Sequence, residues 1–232
     1  MFAAIAPRYD RLNHLLSMQV DRYWRWRTAR RIAKPGCGPI LDVCTGTGDL
    51  AFAFDRRTRG TASIVGADFC RPMLEIGERK AVRRGVEDRV RFIEADALAL
   101  PFDADSFAVV SVAFGLRNLA DTDLGLCEMR RVCRPGGTVA VLEFSRPARQ
   151  PFAALYGWYF RAVLPRIGQW LARNADDAYG YLPASVAAFP SGRELADRME
   201  RAGLHDVRWQ AFTLGVATLY IGRKRGGWKR DG

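Results

Sequence analysis

The sequence predicts a doubly wound α/β sheet that ends in an antiparallel hairpin and carries a helical cap. Three observations predict it. Short apolar runs alternate with helical stretches from about residue 35 to 145. The first of those runs breaks at Gly46 and Gly48 and passes directly into a helix start. At the far end, apolar runs over 206–212 and 215–222 are joined by a short turn, which implies a hairpin.

Residues 1–20 combine apolar positions with Tyr9, Asp10, Asn13, His14 and Ser17, and read as an N-terminal helix packed on the domain. His14 alone is better read as a surface histidine than as a catalyst. Residues 21–34 also read as a helix. At about 100° per residue, Trp26, Ala29, Ile32 and Ala33 gather on one side, and Arg27, Arg30, Arg31 and Lys34 on the other. That basic side suits solvent. It would equally suit an anionic lipid surface, where each basic residue contributes about 1 kcal/mol.

The run KPGCG at 34–38 ends this helix and leads into a strand over 39–43. Gly46 and Gly48 lack a Cβ, so the backbone can turn sharply and admit a ligand closely. The helix that follows offers unpaired N–H groups and a positive dipole end. A second strand over 63–67 ends at Asp68, twenty residues beyond Gly48, where a carboxylate would reach ribose hydroxyls. A helix over 71–84 has Pro72 in its first turn. The third strand, 90–93, is followed by Asp96 and Ala97, again on the sheet edge where ligands bind.

Residues 107–112 make a fourth strand that feeds Ala113 and the run FGLRN at 114–118. A helix over 121–133, closed by RPGG at 134–137, precedes a fifth strand over 138–142. From 146 to 190 the pattern changes: aromatics and prolines accumulate and no strand is visible, which reads as a cap and a candidate apolar substrate chamber. Helix 191–202 and the hairpin follow, and a basic tail beginning at Arg223 ends the chain.

Composition sets the outer limits. The 232 residues, 49% hydrophobic, suffice for one sizeable core. They read as one domain, 1–232, divided into a helical segment (1–34), a cofactor-binding core (35–145), the cap (146–190), a helix and hairpin (191–223) and a tail (224–232). A formal net charge of +11 favours an anionic partner, nucleic acid or an acidic membrane surface. Five cysteines without a C-x-x-C pair point to a reducing cytoplasm and no metal site. No apolar run approaches twenty residues, so no membrane span is expected, and neither is a signal peptide.

The glycine loop admits two cofactors. Ala51 stands where the dinucleotide fingerprint places its third glycine, which that fingerprint tolerates. However, Asp42 ahead of Cys44, Gly46 and Gly48 gives D-x-C-x-G-x-G, which resembles the first motif of the S-adenosylmethionine-dependent methyltransferases.

Nearly the whole chain resembles one family, the ubiquinone/menaquinone biosynthesis C-methyltransferases. The marks are IAPRYD at 5–10 with Asn13 and Ser17, LDVCTGTGDLA at 41–51, Asp68 with Met73-Leu74, and Asp96-Ala97 with LPF at 100–102. FGLRN at 114–118, Gly136-Gly137, LEFS at 142–145 with Pro147, YLP at 181–183 with Ser185, Phe189-Pro190 and GVA at 215–217 complete the series. FGLRN, LEFS-x-P and YLPxS are far more particular than the glycine loop.

The resemblance implies a Rossmann-like class I methyltransferase that binds S-adenosyl-L-methionine and methylates a polyprenylated quinol ring. Its cofactor contacts would be Thr47 in the glycine loop, Asp68 on the ribose diol, Asp96 on the adenine amine and Ala97 through its amide, and Asp42, Gly46 and Gly48 of the loop motif are expected beside them. Some members carry Ser before FGLRN; Ala113 stands there, leaving only a backbone contact. The start of the chain is shorter than in many relatives. Methylation of a ring carbon needs a phenolate to push electron density to its neighbour, so the protein must stabilise that charge or take the proton. Arg117 is the candidate charge stabiliser and Asn118 an orienting hydrogen-bond partner. Tyr9 and Asp10 are further candidates on a segment that could fold over the site. The competing reading of Arg117 is an ion pair with Asp121 or Asp123.

Other classes fare worse. A nucleic-acid methyltransferase would carry a target-recognition region or an N/D-P-P-Y-like motif, and neither is present. An NAD-dependent oxidoreductase would need a Tyr-x-x-x-Lys or comparable set, also missing. A binding module without activity would not need the intact loop with Asp68 and Arg117-Asn118, and a methyltransferase for another small or lipidic acceptor stays open. The expected partners are the quinol and the inner face of the cytoplasmic membrane, without nucleic acid; a homodimer is left open.

Overall fold

The computed structural model describes residues 17, 19–147, 150, 154, 157 and 184–226. Helix α1 (Val20–Ile32) leads to β1 (Ile40–Val43), α2 (Asp49–Thr58), β2 (Ile64–Asp68), α3 (Arg71–Arg84) and β3 (Val90–Glu94). Then come β4 (Phe107–Ala113), a 3₁₀ turn (Leu116–Asn118), α4 (Thr122–Val132) and β5 (Cys133–Phe144). A helical stretch at 184–188, α5 (Arg193–Arg201), β6 (Leu204–Phe212), a 3₁₀ turn (Thr213–Gly215) and β7 (Ala217–Lys224) complete the described chain.

The seven strands form one sheet in the order β3-β2-β1-β4-β5-β7-β6. The first five pair in parallel; β7 inserts antiparallel between β5 and β6. The expected doubly wound sheet and terminal hairpin are therefore both present. β1 carries only buried residues because both sheet faces are covered by helices. One core cluster joins Leu41, Val110, Leu126 and Met129; another joins Ile40, Phe52, Phe54 and Ile64. Strand order reverses between β1 and β4, which opens a crevice at their carboxyl ends.

Three expectations need correction. The inner face of α1 is formed by Asp21, Trp24, Thr28 and Ala29, whereas Trp26 is 45% exposed. Trp24 wins the buried place because it has a partner there: its indole Nε1 donates to Thr213 Oγ1 at 2.8 Å, and its ring packs on Phe114 and Phe144. Arg27 is half-buried, so it does not belong with the exposed Arg30 and Arg31. Second, β5 begins at Cys133, not 138. Cys133 pairs with Phe107 and Thr138 with Val109, so the Pro135-Gly136-Gly137 stretch is an irregularity within the strand. Third, Arg223 and Lys224 belong to β7, where Lys224 Nζ donates to Asp105 Oδ1 at 2.6 Å. Residues 227–232 of the expected tail lie outside the described residues, as do 1–16 and most of the expected cap.

Candidate active site

The crevice is an open cleft at the carboxyl ends of β1, β2 and β4. Its walls come from the loops after β1 (Cys44, Gly46), after β2 (Asp68, Phe69, Cys70, with Met73 of α3) and after β4 (Ala113, Phe114, Gly115, Asn118, Leu119). Cys44 (φ 52°) and Phe114 (φ 61°) both adopt left-handed backbone, uncommon for residues with a Cβ and frequent at ligand sites. The two loops touch at Gly115, where any Cβ would collide with that of Cys44.

Asp68 ties the first wall to the second. Its Oδ2 accepts from the Gly46 N–H at 2.8 Å and its Oδ1 from the Cys70 N–H at 2.9 Å. Burial raises its pKa, partly offset by these backbone donors. Below it, Asp42 is sealed in the sheet and accepts from Thr45 Oγ1 at 2.7 Å and Ser111 Oγ at 3.0 Å. Desolvation pushes Asp42 up to about 6. Its carboxylate does not line the cleft; it props the turn that starts the glycine loop.

Gly48 closes that loop at φ 86°, and a Cβ there would press within 2.5 Å of the Phe92 ring. Thr47 is buried, and its hydroxyl accepts from Lys80 Nζ at 2.8 Å, outside the cleft lining. Asp96 is exposed, with Oδ1 accepting from the Leu98 N–H at 2.9 Å, and Ala97 packs in the core; neither lines the cleft. Of the expected residues, Gly46, Asp68, Ala113 and Asn118 meet in the cleft. Tyr9 and Asp10 lie outside the described residues.

Arg117 does pair with a carboxylate, but not with Asp121 or Asp123. Its Nη1 donates to both oxygens of Glu143, each at 3.0 Å, and to the Phe114 carbonyl at 2.6 Å. Asp121 instead caps α4 through the Leu124 N–H, and Asp123 faces Arg198. Glu143 is 1% exposed; desolvation raises its pKa and Arg117 opposes that rise. The cleft residues missed in the sequence are Cys44, Phe69, Cys70, Met73 and Leu119, together with site roles for Phe114 and Gly115. Phe69 could have been found, because it directly follows a strand-end carboxylate. Burial pushes the Cys44 thiol upward, which disfavours the reactive thiolate.

The cleft fits S-adenosylmethionine on its own features. Gly46 lines it, and a Cβ at that position would meet nothing within 4 Å, so open space lies against the loop backbone. Asp68 retains lone pairs for a diol, since an ionised carboxylate offers about four acceptor sites. Phe69, 63% exposed, and Met73 supply an apolar surface beside it.

Comparison with known proteins gives the same answer. The fold matches a S-adenosylmethionine-dependent methyltransferase from Aquifex aeolicus at TM-score 0.62 and 15% identity, over 85% of this chain and 88% of that one. It also matches phosphoethanolamine N-methyltransferase 2 of Haemonchus contortus, solved with S-adenosyl-L-methionine, at TM-score 0.61 and 13% identity over 87% and 52%. In sequence, the chain is 49% identical to a demethylmenaquinone methyltransferase of Thermus thermophilus, over 96% of this chain and 99% of the relative. A demethylmenaquinone methyltransferase of Deinococcus radiodurans is 46% identical over 97% and 91%. A ubiquinone/menaquinone biosynthesis C-methyltransferase of a Geobacter species is 44% identical over 97% and 94%. Residues 1–224 match the family model described as ubiE/COQ5 methyltransferase, and the chain belongs to that family of S-adenosylmethionine-dependent methyltransferases.

Proposed function

We propose that this enzyme methylates a ring carbon of a polyprenylated quinol, a demethylmenaquinol or a 2-polyprenyl-6-methoxy-benzoquinol, in menaquinone or ubiquinone biosynthesis. The observation that carries the reading is the cleft itself. One side offers Asp68 and the open Gly46 backbone, and the other an aromatic and amide wall of Phe114, Asn118 and Leu119. The names of relatives at 44–49% identity support the acceptor class.

S-adenosylmethionine, when bound, supplies a methyl group activated by its sulfonium. The protein's part is to hold both reactants and to make the ring carbon nucleophilic. Asp68 would accept the ribose hydroxyls, and it holds the Gly46 N–H turned toward itself. Positioning two reactants can lower the barrier by roughly 7–11 kcal/mol in favourable cases. Asn118 is placed to orient the acceptor's hydroxyl, and Arg117 to stabilise the phenolate from behind the Phe114 wall. The pairing with Glu143 makes that stabiliser an ion pair, not a net charge.

The same reading places the enzyme at the cytoplasmic face of the membrane as a peripheral protein, since a polyprenyl tail stays in the bilayer. Among the described residues no helix is long and apolar enough to cross a membrane. In cells lacking this protein, mass spectrometry of extracted quinones should show the unmethylated species, and the chain supplied from a plasmid should remove it. An unchanged quinone profile would overturn the proposal.

A further inference from the structure

Glu143 is a fully buried carboxylate on the same strand edge as the cleft, and neither cofactor nor acceptor contact accounts for it. It accepts from Arg117 Nη1 through both oxygens and from the Phe144 N–H at 3.1 Å. A buried ion pair is weak support for a fold, because its desolvation cost offsets its attraction. This pair also leaves the Arg117 Nε–H buried with no hydrogen-bond partner.

What the pair does hold is the backbone of Phe114. The Arg117 Nη1 that meets Glu143 also takes the Phe114 carbonyl at 2.6 Å, and Phe114 sits at φ 61°. A bulky residue keeps that conformation only where its surroundings over-determine it. The rings agree with the backbone: Phe144 lies 4.5 Å from Phe114 between centroids, and the Arg117 guanidinium 5.3 Å from the Phe144 ring. Phe114, Gly115, Asn118 and Leu119, which bracket Arg117, all line the cleft.

Resting on the cleft as the methyl-transfer site, we infer that Glu143 is a positioning residue for the methyl acceptor. Glu143 fixes Arg117, Arg117 fixes the carbonyl of Phe114, and the strained Phe114 turn sets the ring of Phe114 and the amide of Asn118 against the acceptor. The hydrogen bonds that build the cofactor side, from Gly46 and Cys70 to Asp68, include no member of this clamp.

The test separates the two sides of the cleft. Wild type, Glu143→Gln and Glu143→Asp are compared by titration with S-adenosylhomocysteine, by thermal melting, and by kcat and KM with a short-chain demethylmenaquinol as acceptor. In Glu143→Gln, affinity for S-adenosylhomocysteine should stay within threefold while kcat falls at least tenfold. Glu143→Asp, which keeps the charge, should recover part of that loss. If Glu143→Gln does not fold, Glu143→Met, which leaves Arg117 in place, is measured instead, and the same split is expected. A folded variant of either kind with kcat and acceptor KM within twofold of wild type would overturn the inference. Failure of the wild-type protein to bind S-adenosylhomocysteine would instead overturn the reading of the cleft.

Discussion

Asp68 accepts the backbone N–H groups of Gly46 and Cys70 and lines the cleft, so one side chain both shapes the loop and borders the space proposed for the cofactor. Asp68→Ala removes a charged acceptor, worth roughly 1.5–3 kcal/mol. Affinity for S-adenosylhomocysteine should fall about ten- to hundredfold by calorimetry, with a lower melting temperature because Gly46 loses its partner. Unchanged affinity would take Asp68 out of the site. Asp42 gives a different signature. Burial lifts its pKa from 3.8 to about 6, so the native state holds this proton where the unfolded chain has released it. Its contribution to stability therefore declines as pH rises between about 4 and 6, leaving a cost on the order of 3 kcal/mol at pH 7. Asp42→Asn should gain stability relative to wild type between pH 4 and pH 7, measured by urea midpoints, and an identical pH dependence would refute the assignment. Asp68 could be read from the sequence because a carboxylate at a strand end has a fixed place in this fold. The Arg117–Glu143 pair could not, because its members are 26 residues apart and meet only through β4–β5 pairing.

The glycine loop shows the same division between local and tertiary causes at the level of an element. Gly46 and Gly48 both have positive φ, at 57° and 86°, but only at Gly48 would a Cβ meet the Phe92 ring. Left-handed backbone costs a non-glycine residue about 1–2 kcal/mol. Gly46→Ala should therefore lose about that much, and Gly48→Ala more, on the order of 3 kcal/mol, since a packed ring must also shift. Denaturant titration measures both, and Phe92→Leu should restore part of the Gly48→Ala loss. Equal losses at the two positions would mean that Phe92 yields freely. Strands and helices of the parallel core were legible because apolar runs and cap signals are local. Helix α3 has the expected bounds, with Pro72 in its first turn and Gly85 at its end. The start of β5 was not legible: Pro135-Gly136-Gly137 signals a turn, and only pairing with β4 keeps it in the strand. The buried side of α1 was also hidden, since Trp24 is selected by Thr213, Phe114 and Phe144 from distant parts of the chain.

At the scale of the molecule, the charge of +11 needs a location, and composition alone cannot supply one. The structure gathers part of it on one surface. Arg22 of α1, Arg56 of α2 and Arg83 of α3 all lie close enough to Arg84 to help lower its pKa, after burial. Beside Arg22, Tyr23 and Trp26 are 47% and 45% exposed with ring centroids 6.0 Å apart, and the Arg30 guanidinium lies 4.9 Å from the Trp26 ring. Exposed Tyr and Trp among arginines suit a lipid headgroup layer, where their amphipathic rings settle. The opposite face of α1 carries Trp24, packed on Phe114 at the cleft wall, so this helix stands between the basic surface and the acceptor side. Each CH₂ of a prenyl tail gains about 0.8 kcal/mol from burial, so withdrawing a long tail into water is prohibitive, and the proposed function would require the enzyme to work at the bilayer. The expected result is salt-sensitive binding to anionic liposomes, with phosphatidylglycerol vesicles preferred over phosphatidylcholine in co-sedimentation. Changing Arg22, Arg30 and Arg31 together to Gln should abolish the anionic preference. Changing Tyr23 and Trp26 to Ala should weaken the part of binding that survives high salt. Equal sedimentation of wild type and both variants, or no preference for the anionic vesicles, would show that this face is merely solvated and that the tail reaches the cleft by another route.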